Sequence, residues 1–210
     1  MSLSTPLEYC ENYATEGELL AAAYQLAGMG CTSVIWGCTS ASFFRGMKFA
    51  QLQSQLLSES SGVPASNTAM AFLAALGVLR AVQVDILSPY AGEVTQTLVS
   101  FLSDAGISVR GIRNMRRGPR QHVFDIDCEA ELAEFVASTP PSDHPILIPC
   151  TSISSLERVD IFERISGRPV ITANQVTLWH ALVLAGLSPN IADAGSLFRS
   201  CARTSDRSSV

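Results

Sequence analysis

The sequence has few charged residues and no excess of positive charge. Only 16% of its 210 residues are Asp, Glu, Lys or Arg, and the net charge is −5. Nucleic-acid binding relies on clustered Lys and Arg, so no nucleic-acid partner is expected. No apolar run approaches the roughly 18 residues that span a bilayer, so no membrane partner is expected either.

Metal-binding and disulfide patterns are also missing. The chain has six cysteines but no Cys-x-x-Cys, and its three histidines, His122, His144 and His180, are scattered. No metal site is therefore predicted. Residues 1–6 lack the basic start and apolar core of a secretory signal, which predicts a cytoplasmic protein with reduced cysteines.

The tripeptide Cys-Thr-Ser is present twice, at Cys38 and at Cys150. Each copy directly follows a short apolar run, 34–37 in the first case and 146–149 in the second. Such runs are typical of buried parallel strands, and ligands of open α/β sheets bind at the carboxyl ends of the strands. The repeat therefore predicts a site with one thiol on each side.

The sequence around the two tripeptides also repeats. Each is followed by a helical stretch, a Gly-x-Pro, a short run and an asparagine, Asn67 or Asn174, ahead of another apolar helix. Self-similarity of this kind predicts two α/β halves related by a pseudo-twofold axis, with a cleft between them. The hydrophobic content of 47% is ample for a packed core.

Strands and helices are predicted to alternate throughout, which indicates a parallel sheet with crossover helices. Strands are expected at 32–37, 81–87, 107–112, before Cys150, and at 169–173. Helices are expected up to Met29 and at 45–60, 68–78, 92–104, 129–138, 155–166 and 174–184.

These elements divide the chain into two flavodoxin-like halves. The first is predicted to comprise residues 1–79 and 168–200, the second residues 80–167, and residues 201–210 are predicted to be a disordered tail. The first half lacks an opening strand and helix that the second half has, so we expect about thirty further residues before Met1 if the duplication is complete. An uncovered sheet edge recruits partners, which predicts a homo-oligomer.

Three segments together resemble the aspartate/glutamate racemase superfamily, in its branch of maleate cis-trans isomerases and arylmalonate decarboxylases. They are residues 37–46, the strand end at Ser88-Pro89-Tyr90, and Cys150-Thr-Ser with the helix at Asn174. The resemblance covers about residues 5–198. It implies a cofactor-independent enzyme of two flavodoxin-like halves, acting on a small carboxylate or dicarboxylate substrate between them.

The resemblance also implies roles for individual residues. Cys38 and Cys150 would be catalytic, and a substrate carboxylate would be held by groups next to them and by one strand-end tyrosine. The implied ligands are Thr39, Ser40, Tyr90, Thr151 and Ser152, with Asn114 as a further match.

The chemistry of two opposed thiols leaves three reactions open. One thiol could add to an activated double bond as a nucleophile while the other acts as acid and base, with Cys38 and Cys150 in those roles or the reverse. The alternatives are an arylmalonate-type decarboxylase, in which only Cys150 carries a proton, and an amino-acid or hydantoin racemase. The resemblance points in two directions: residues 39–46 look most like the decarboxylases, but those enzymes carry glycine in the position of Cys38, and having both cysteines is the isomerase and racemase pattern. A non-catalytic homologue is the last alternative.

The other notable side chains are predicted to be structural. Asn67 and Asn174 are expected to cap helices, and Trp179 and His180 to pack. The arginines within residues 113–120 predict a mobile basic loop, with a carboxylate clamp as the alternative. The cysteines outside the repeat are expected to be inert, namely Cys10, Cys31, Cys128 and Cys201.

Overall fold

The computed structural model describes residues 16–116, 118 and 121–205, in which helices and short strands alternate. The strands are β1 (Val34–Trp36), β2 (Ala65–Asn67), β3 (Gln83–Ser88), β4 (Ser108–Asn114), β5 (Ile146–Ile148) and β6 (Val170–Thr172). The helices are α1 (Glu16–Ala27), α2 (Thr39–Phe43), α3 (Met47–Ser61), α4 (Thr68–Val78), α5 (Gly92–Asp104), α6 (Cys128–Ser138), α7 (Val159–Ser166), α8 (Ala173–Leu184) and α9 (Gly195–Ser205). Two 3-10 turns lie at Val123–Asp125 and Leu156–Arg158.

The strands form two parallel sheets, as the sequence predicted. β1 pairs with β2, and the other four strands form a sheet in the order β4-β3-β5-β6. Parallel neighbours require crossover connections, and a helix lies between each strand and the next. The prediction of an α/β fold with two halves is therefore confirmed.

The boundary between the halves differs from the predicted one. β6 pairs in parallel with β5, so residues 170–172 complete the four-stranded sheet instead of belonging to the first half. All three β6 residues are buried there. The chain returns to the first half only in α8, which packs on α4 and contacts β1 and β2. The hydroxyl of Ser33 donates to the Ala181 carbonyl at 2.9 Å across this junction.

One hydrophobic core joins the two halves. It extends from Phe43 and Phe72 in the first half to Phe101 and Phe162 in the second, all of them fully or almost fully buried. The inner strand β5 and its neighbour β6, at one edge of the sheet, are buried at every position, as expected for parallel strands covered on both faces. The edge strand β4 instead alternates between exposed and half-buried residues.

Several local predictions needed correction. The helix expected at 45–60 begins at Met47, because the residues after Cys38 form the separate short helix α2. The helix expected at 155–166 begins as α7 at Val159, after a 3-10 turn.

The end of the chain also differs from the prediction. The unpredicted helix α9 extends to Ser205, five residues into the segment expected to be a disordered tail, while residues 206–210 lie outside the described part. The start of α9 is fixed from a distance, because the carboxylate of Glu163 accepts from the Ser196 amide at 3.0 Å and its hydroxyl at 2.6 Å.

Two further expectations concern an N-terminal strand and membrane-spanning helices. The strand expected before Met1 stays a prediction, since no described residue tests it. Within residues 16–116, 118 and 121–205, no helix has both the length and the apolarity needed to cross a bilayer.

Candidate active site

The two Cys-Thr-Ser tripeptides lie at the carboxyl ends of strands, one in each half. Cys38 follows β1 and occupies the N-cap position of α2, with extended backbone angles of φ −131° and ψ 112°. Cys150 follows β5 and opens a turn, in which the Ile153 amide donates to the Cys150 carbonyl at 3.3 Å. The same three residues therefore begin a helix in one half and a turn in the other.

The thiol of Cys38 faces the first turn of α2. Burial raises the pKa of this thiol, and three donors oppose that rise: the Ala41 amide, the Ser40 hydroxyl and the Ser40 amide. Desolvation is the larger effect, so the pKa stays above its ordinary value. At neutral pH most of the Cys38 side chains are thiols, and a minority are thiolates.

Cys150 is more deeply buried, with 8% of its surface exposed. Burial raises the pKa of its thiol, while the amide and hydroxyl of Ser152 and the hydroxyl of Tyr90 lower it. The charge of a Cys38 thiolate raises the pKa of Cys150 further. The two sulfur atoms are thus close enough to influence each other electrostatically.

Tyr90 connects the two thiols. It follows β3, its ring packs edge-on against Phe43 with 6.0 Å between centroids, and its hydroxyl donates to the Pro149 carbonyl. Burial, and then the charges of Cys150 and Cys38, raise the pKa of Tyr90 well above its usual value. The hydroxyl is therefore neutral, and both thiols are close enough to act on it electrostatically.

Thr39 contributes a buried hydroxyl to the same place. Its side chain is close enough to Tyr90 to lower the pKa of the phenol. Tyr90 already donates its proton to Pro149, however, and Thr39 Oγ1 forms no well-directed hydrogen bond with any described residue. Because a buried hydroxyl without a partner is costly, this atom is suited to a ligand.

The loop that carries Tyr90 is held by hydroxyls and an amide that the sequence did not single out as a group. The Tyr90 amide donates to Ser88 Oγ at 3.2 Å, and Ser88 Oγ is 2.7 Å from Thr95 Oγ1. Asn114 donates from Nδ2 to the Tyr90 carbonyl at 2.7 Å and to Thr95 Oγ1 at 2.9 Å. The amide group of Asn114 is thus used to support Tyr90, and its predicted contact with substrate stays a prediction for Oδ1 alone.

The remaining predicted ligands lie beside the thiols. Ser40 is buried at the start of α2, Thr151 is half-buried, and Ser152 is exposed. Their assignment to a substrate carboxylate stays a prediction.

Two arginines of the basic segment, Arg113 and Arg116, have carboxylate partners. Arg113 lies in β4 and donates to Glu131 at 3.3 Å and to Glu134 at 2.6 Å. Arg116 pairs with the same two carboxylates of α6, and these partners lower the pKa of Glu134. Neither arginine is a free carboxylate clamp, and residues 117, 119 and 120 lie outside the described part of the chain.

One of the two predicted asparagine caps is wrong. Asn67 caps α4, with its Oδ1 accepting from the Met70 amide at 2.9 Å. The cap of α8 is instead Thr172, which forms a reciprocal capping box with Gln175. Asn174 lies inside the helix and donates to the Ile153 carbonyl at 2.7 Å.

The packing prediction for α8 is confirmed. Trp179 is 2% exposed and stacks on His180 at 5.8 Å between ring centroids. Burial lowers the pKa of His180, so this ring is neutral in the packed helix.

The cysteines outside the repeat have other surroundings. Cys31 donates to the Leu26 carbonyl at 3.4 Å, and burial raises the pKa of Cys128 to about 12. The side chains of Cys10 and Cys201 lie outside what the structure describes. Among the described residues, no group of three His, Cys, Asp or Glu side chains is arranged to hold a metal ion.

A surface cleft of about 430 Å³ lies away from these thiols. It is lined by residues at the amino ends of β3 and β4, among them Arg80, Gln83, Ser108 and His144. The candidate site is at the opposite, carboxyl end of the strands. The cleft is therefore separate from the candidate site.

Comparison with known proteins gives one family. The sequence pattern of the arylmalonate decarboxylase family matches residues 11–198. The chain is similar to arylmalonate decarboxylase of Bordetella bronchiseptica, with 26% identity over 166 residues, which is 78% of this chain and 69% of that protein.

A second relative is named for a different activity. The chain is similar to maleate isomerase of Pseudomonas putida, with 28% identity over 149 residues, or 70% of this chain. That match spans 59% of the isomerase, which is less than two thirds of its length. A crystal structure of arylmalonate decarboxylase superposes with a TM-score of 0.75 at 25% identity, covering 88% of this chain and 82% of the other.

Proposed function

The chain belongs to the arylmalonate decarboxylase family, and on that premise we propose that it is a maleate-isomerase-like enzyme that uses two thiols and no cofactor. The family and its relatives make it an enzyme of the isomerase or decarboxylase type. The observation that supports an isomerase is the presence of both Cys38 and Cys150 around one neutral tyrosine hydroxyl.

The surroundings of the two thiols support different roles. Cys38 is half-exposed and faces two backbone amides at the start of α2, which favours attack by its thiolate on a substrate carbon. Cys150 is buried, which raises the pKa of its thiol and suits a group that carries a proton. We therefore assign Cys38 as the nucleophile and Cys150 as the acid and base.

The proposed reaction balances without any other reactant. The Cys38 thiolate forms a C–S bond to one alkene carbon of a cis-dicarboxylate, and the Cys150 thiol gives its proton to the neighbouring carbon. The former double bond is now single and can rotate. The Cys150 thiolate then removes a proton from that carbon, the double bond reforms as trans, and the C–S electrons return to Cys38.

Charge that builds on a substrate carboxylate needs donors. The buried hydroxyl of Thr39, which no described residue pairs, is the best placed of them. Ser40, Thr151, Ser152 and Tyr90 would share the role. Because each of these groups lies next to one of the thiols, a carboxylate held there would present its α-carbon to sulfur.

A decarboxylase is the second candidate, favoured by the family pattern that matches residues 11–198. In that reaction a disubstituted malonate loses carbon dioxide, the electron pair remains as an enolate, and Cys150 protonates it. Cys38 would then take no part. Self-association through a sheet edge, and a racemase activity, stay predictions beside these two.

The test is proton NMR in D2O with maleate, an aryl-substituted malonate and an α-amino acid in separate tubes. We expect maleate to become fumarate, and the Cys38→Ser and Cys150→Ser variants each to lose at least about a thousandfold in kcat, because each thiol makes or breaks a bond. Dependence on both thiols identifies the isomerase.

Other results would overturn that assignment. Loss of the malonate carboxyl group that depends on Cys150 alone would identify the decarboxylase. Exchange of the α-proton in the amino acid that depends on both thiols would identify a racemase. Isomerisation that survives Cys38→Ser would remove the nucleophile role from that residue.

A further inference from the structure

The third residue after each cysteine has its carbonyl held by a side-chain amide from elsewhere in the chain. In the second half, Asn174 Nδ2 donates to the Ile153 carbonyl at 2.7 Å. In the first half, Gln53 Nε2 donates to the Ala41 carbonyl at 3.1 Å. The two loops are thus clamped at equivalent points, although the clamping residues come from α8 in one case and α3 in the other.

The first clamp extends to Asn67. Asn67 Nδ2 donates to Gln53 Oε1 at 3.3 Å and to the Ala50 carbonyl at 2.7 Å. Both Asn67 and Gln53 are completely buried. Buried amides are costly unless they are paired, so this chain of amides fixes the Gln53 side chain in one orientation. The two asparagines that stood in equivalent places in the sequence repeat therefore both lie behind a thiol loop.

The held carbonyls need these donors because of the local backbone. α2 has only five residues, and the last four carbonyls of a helix have no amide partner inside it. Gln53 supplies one for Ala41. Ile153 lies in a turn instead of a helix, and its carbonyl is satisfied by Asn174.

The same segments present their amides to sulfur. The amides of Ser40 and Ala41 face Cys38, and the amide of Ser152 faces Cys150. A carbonyl fixed at Ala41 or at Ile153 restricts the rotation of the peptide units just before it. The Ala41 N–H belongs to the peptide unit directly before that of the Ala41 carbonyl, and the Ser152 N–H belongs to the second unit before that of the Ile153 carbonyl.

We propose that Asn174 and the Gln53–Asn67 pair are positioning residues that hold the two thiol loops with their peptide N–H groups aimed at the sulfur atoms. Neither Asn174 nor Gln53 is assigned to contact substrate. The proposal rests on the proposed function in one respect: it explains how both thiols are prepared for the reaction.

The test follows alkylation of each cysteine by iodoacetamide against pH, with the two sites separated by peptide mass spectrometry. Asn174→Leu and Gln53→Met keep the approximate volume and remove the donor. Asn174→Leu should move the midpoint of the Cys150 profile upward, so that its thiolate fraction at pH 7 falls about threefold to tenfold, with Cys38 unchanged. Gln53→Met should move the midpoint of the Cys38 profile upward and leave Cys150 unchanged.

The design carries its own controls. Each variant has the untouched cysteine as an internal reference, and Tyr90 and Cys38, the titratable groups that act on Cys150, are unaltered in Asn174→Leu. Asn174→His keeps a ring N–H donor at a similar distance from the backbone and should restore the Cys150 midpoint. If Asn174→Leu does not fold, Asn174→Ser, whose hydroxyl is too short to reach Ile153, replaces it.

Two results would overturn the proposal. The first is a pair of midpoints that stay at their wild-type values in both variants, which would make the amides merely structural. The second is an equal movement of both midpoints in each variant, which would indicate general loosening. Alkylation needs no substrate, so these outcomes are distinguishable from a failure to isomerise maleate.

Discussion

Cys38 begins a helix, whereas Cys150 begins a turn, although both belong to the same tripeptide at the end of a parallel strand. Cys38 is half-exposed and faces three donors from Ser40 and Ala41. Cys150 is buried and shares its donors between Ser152 and Tyr90. A repeated motif thus placed two thiols together without giving them the same surroundings, and the proposed division of roles between nucleophile and acid depends on that difference.

Cys128 shows what burial does without such a loop. It lies at the start of α6, and desolvation raises the pKa of its thiol to about 12. The amides and hydroxyls around Cys38 and Cys150 oppose the same desolvation. Cys128 also has three acidic neighbours that raise its pKa, so the strand-end loops differ from it in supplying donors that stabilise a thiolate.

The largest expected effect is a loss of stability in the half that carries Cys150, when a buried ion pair is broken. In the four-stranded sheet, Arg168 donates to the Asp85 carboxylate at 2.6 Å, and both side chains are about 95% buried. Arg168→Leu leaves a buried carboxylate unpaired, and we expect it to lower the free energy of unfolding by about 3–5 kcal/mol. Urea unfolding measures the change.

The double variant Arg168→Met with Asp85→Leu is the control, since it removes both charges and keeps the side-chain volume. It should recover most of the lost stability. Equal losses in the single and double variants would mean that packing, and not the charge pair, holds this half together.

A smaller effect is expected at alkaline pH. The folded-state pKa of Cys128 is raised from 9.0 to about 12, so its stabilising contribution is complete below about pH 9 and is lost as the pH rises toward 12. By pH 10.5 the loss should be about 2 kcal/mol. Cys128→Val, which cannot ionise, should lose that much less between pH 8 and pH 10.5 in urea unfolding. Parallel curves for the two proteins would contradict the assignment.

The smallest expected effect comes from removing the Tyr90 hydroxyl, which should change the pKa of Cys150 and not that of Cys38. Tyr90→Phe removes the hydroxyl that donates to the Pro149 carbonyl and whose presence near Cys150 lowers the pKa of that thiol. We expect a loss of about 1 kcal/mol in unfolding free energy and an upward shift of the Cys150 alkylation midpoint. Cys38, which receives no hydrogen bond from Tyr90, should keep its profile. A shift of the alkylation midpoint at Cys38 alone would mean that Tyr90 acts on Cys38 and not on Cys150.

Most elements were predictable because their signals are local. The apolar runs before Cys38 and Cys150 gave the strands, and Asn67 gave the start of α4. The errors arose where a distant residue decided the outcome. β6 was assigned to the wrong half because its partner β5 is more than twenty residues away, and α9 was missed because Glu163 caps it from α7.

The candidate site divides in the same way. The sequence placed Cys38, Cys150 and Tyr90 at strand ends, and the structure brings them together. No local pattern pointed to the roles of Gln53 and Thr95, because a buried amide or hydroxyl is recognised only by the atom that it contacts. Asn114 was singled out as a substrate ligand, yet its amide supports the backbone of Tyr90.

The sequence by itself determined the alternation of strands and helices and the position of the thiols at strand ends, since periodicity and turn residues act over a few neighbouring positions. Only the tertiary structure decided which polar groups meet: Tyr90 with Pro149, Asn174 with Ile153, and Arg113 with Glu131. The physical reason is the strand order β4-β3-β5-β6, which brings the carboxyl ends of strands distant in sequence to one edge. Burial there, opposed by the donors of each loop, then sets the pKa of each thiol.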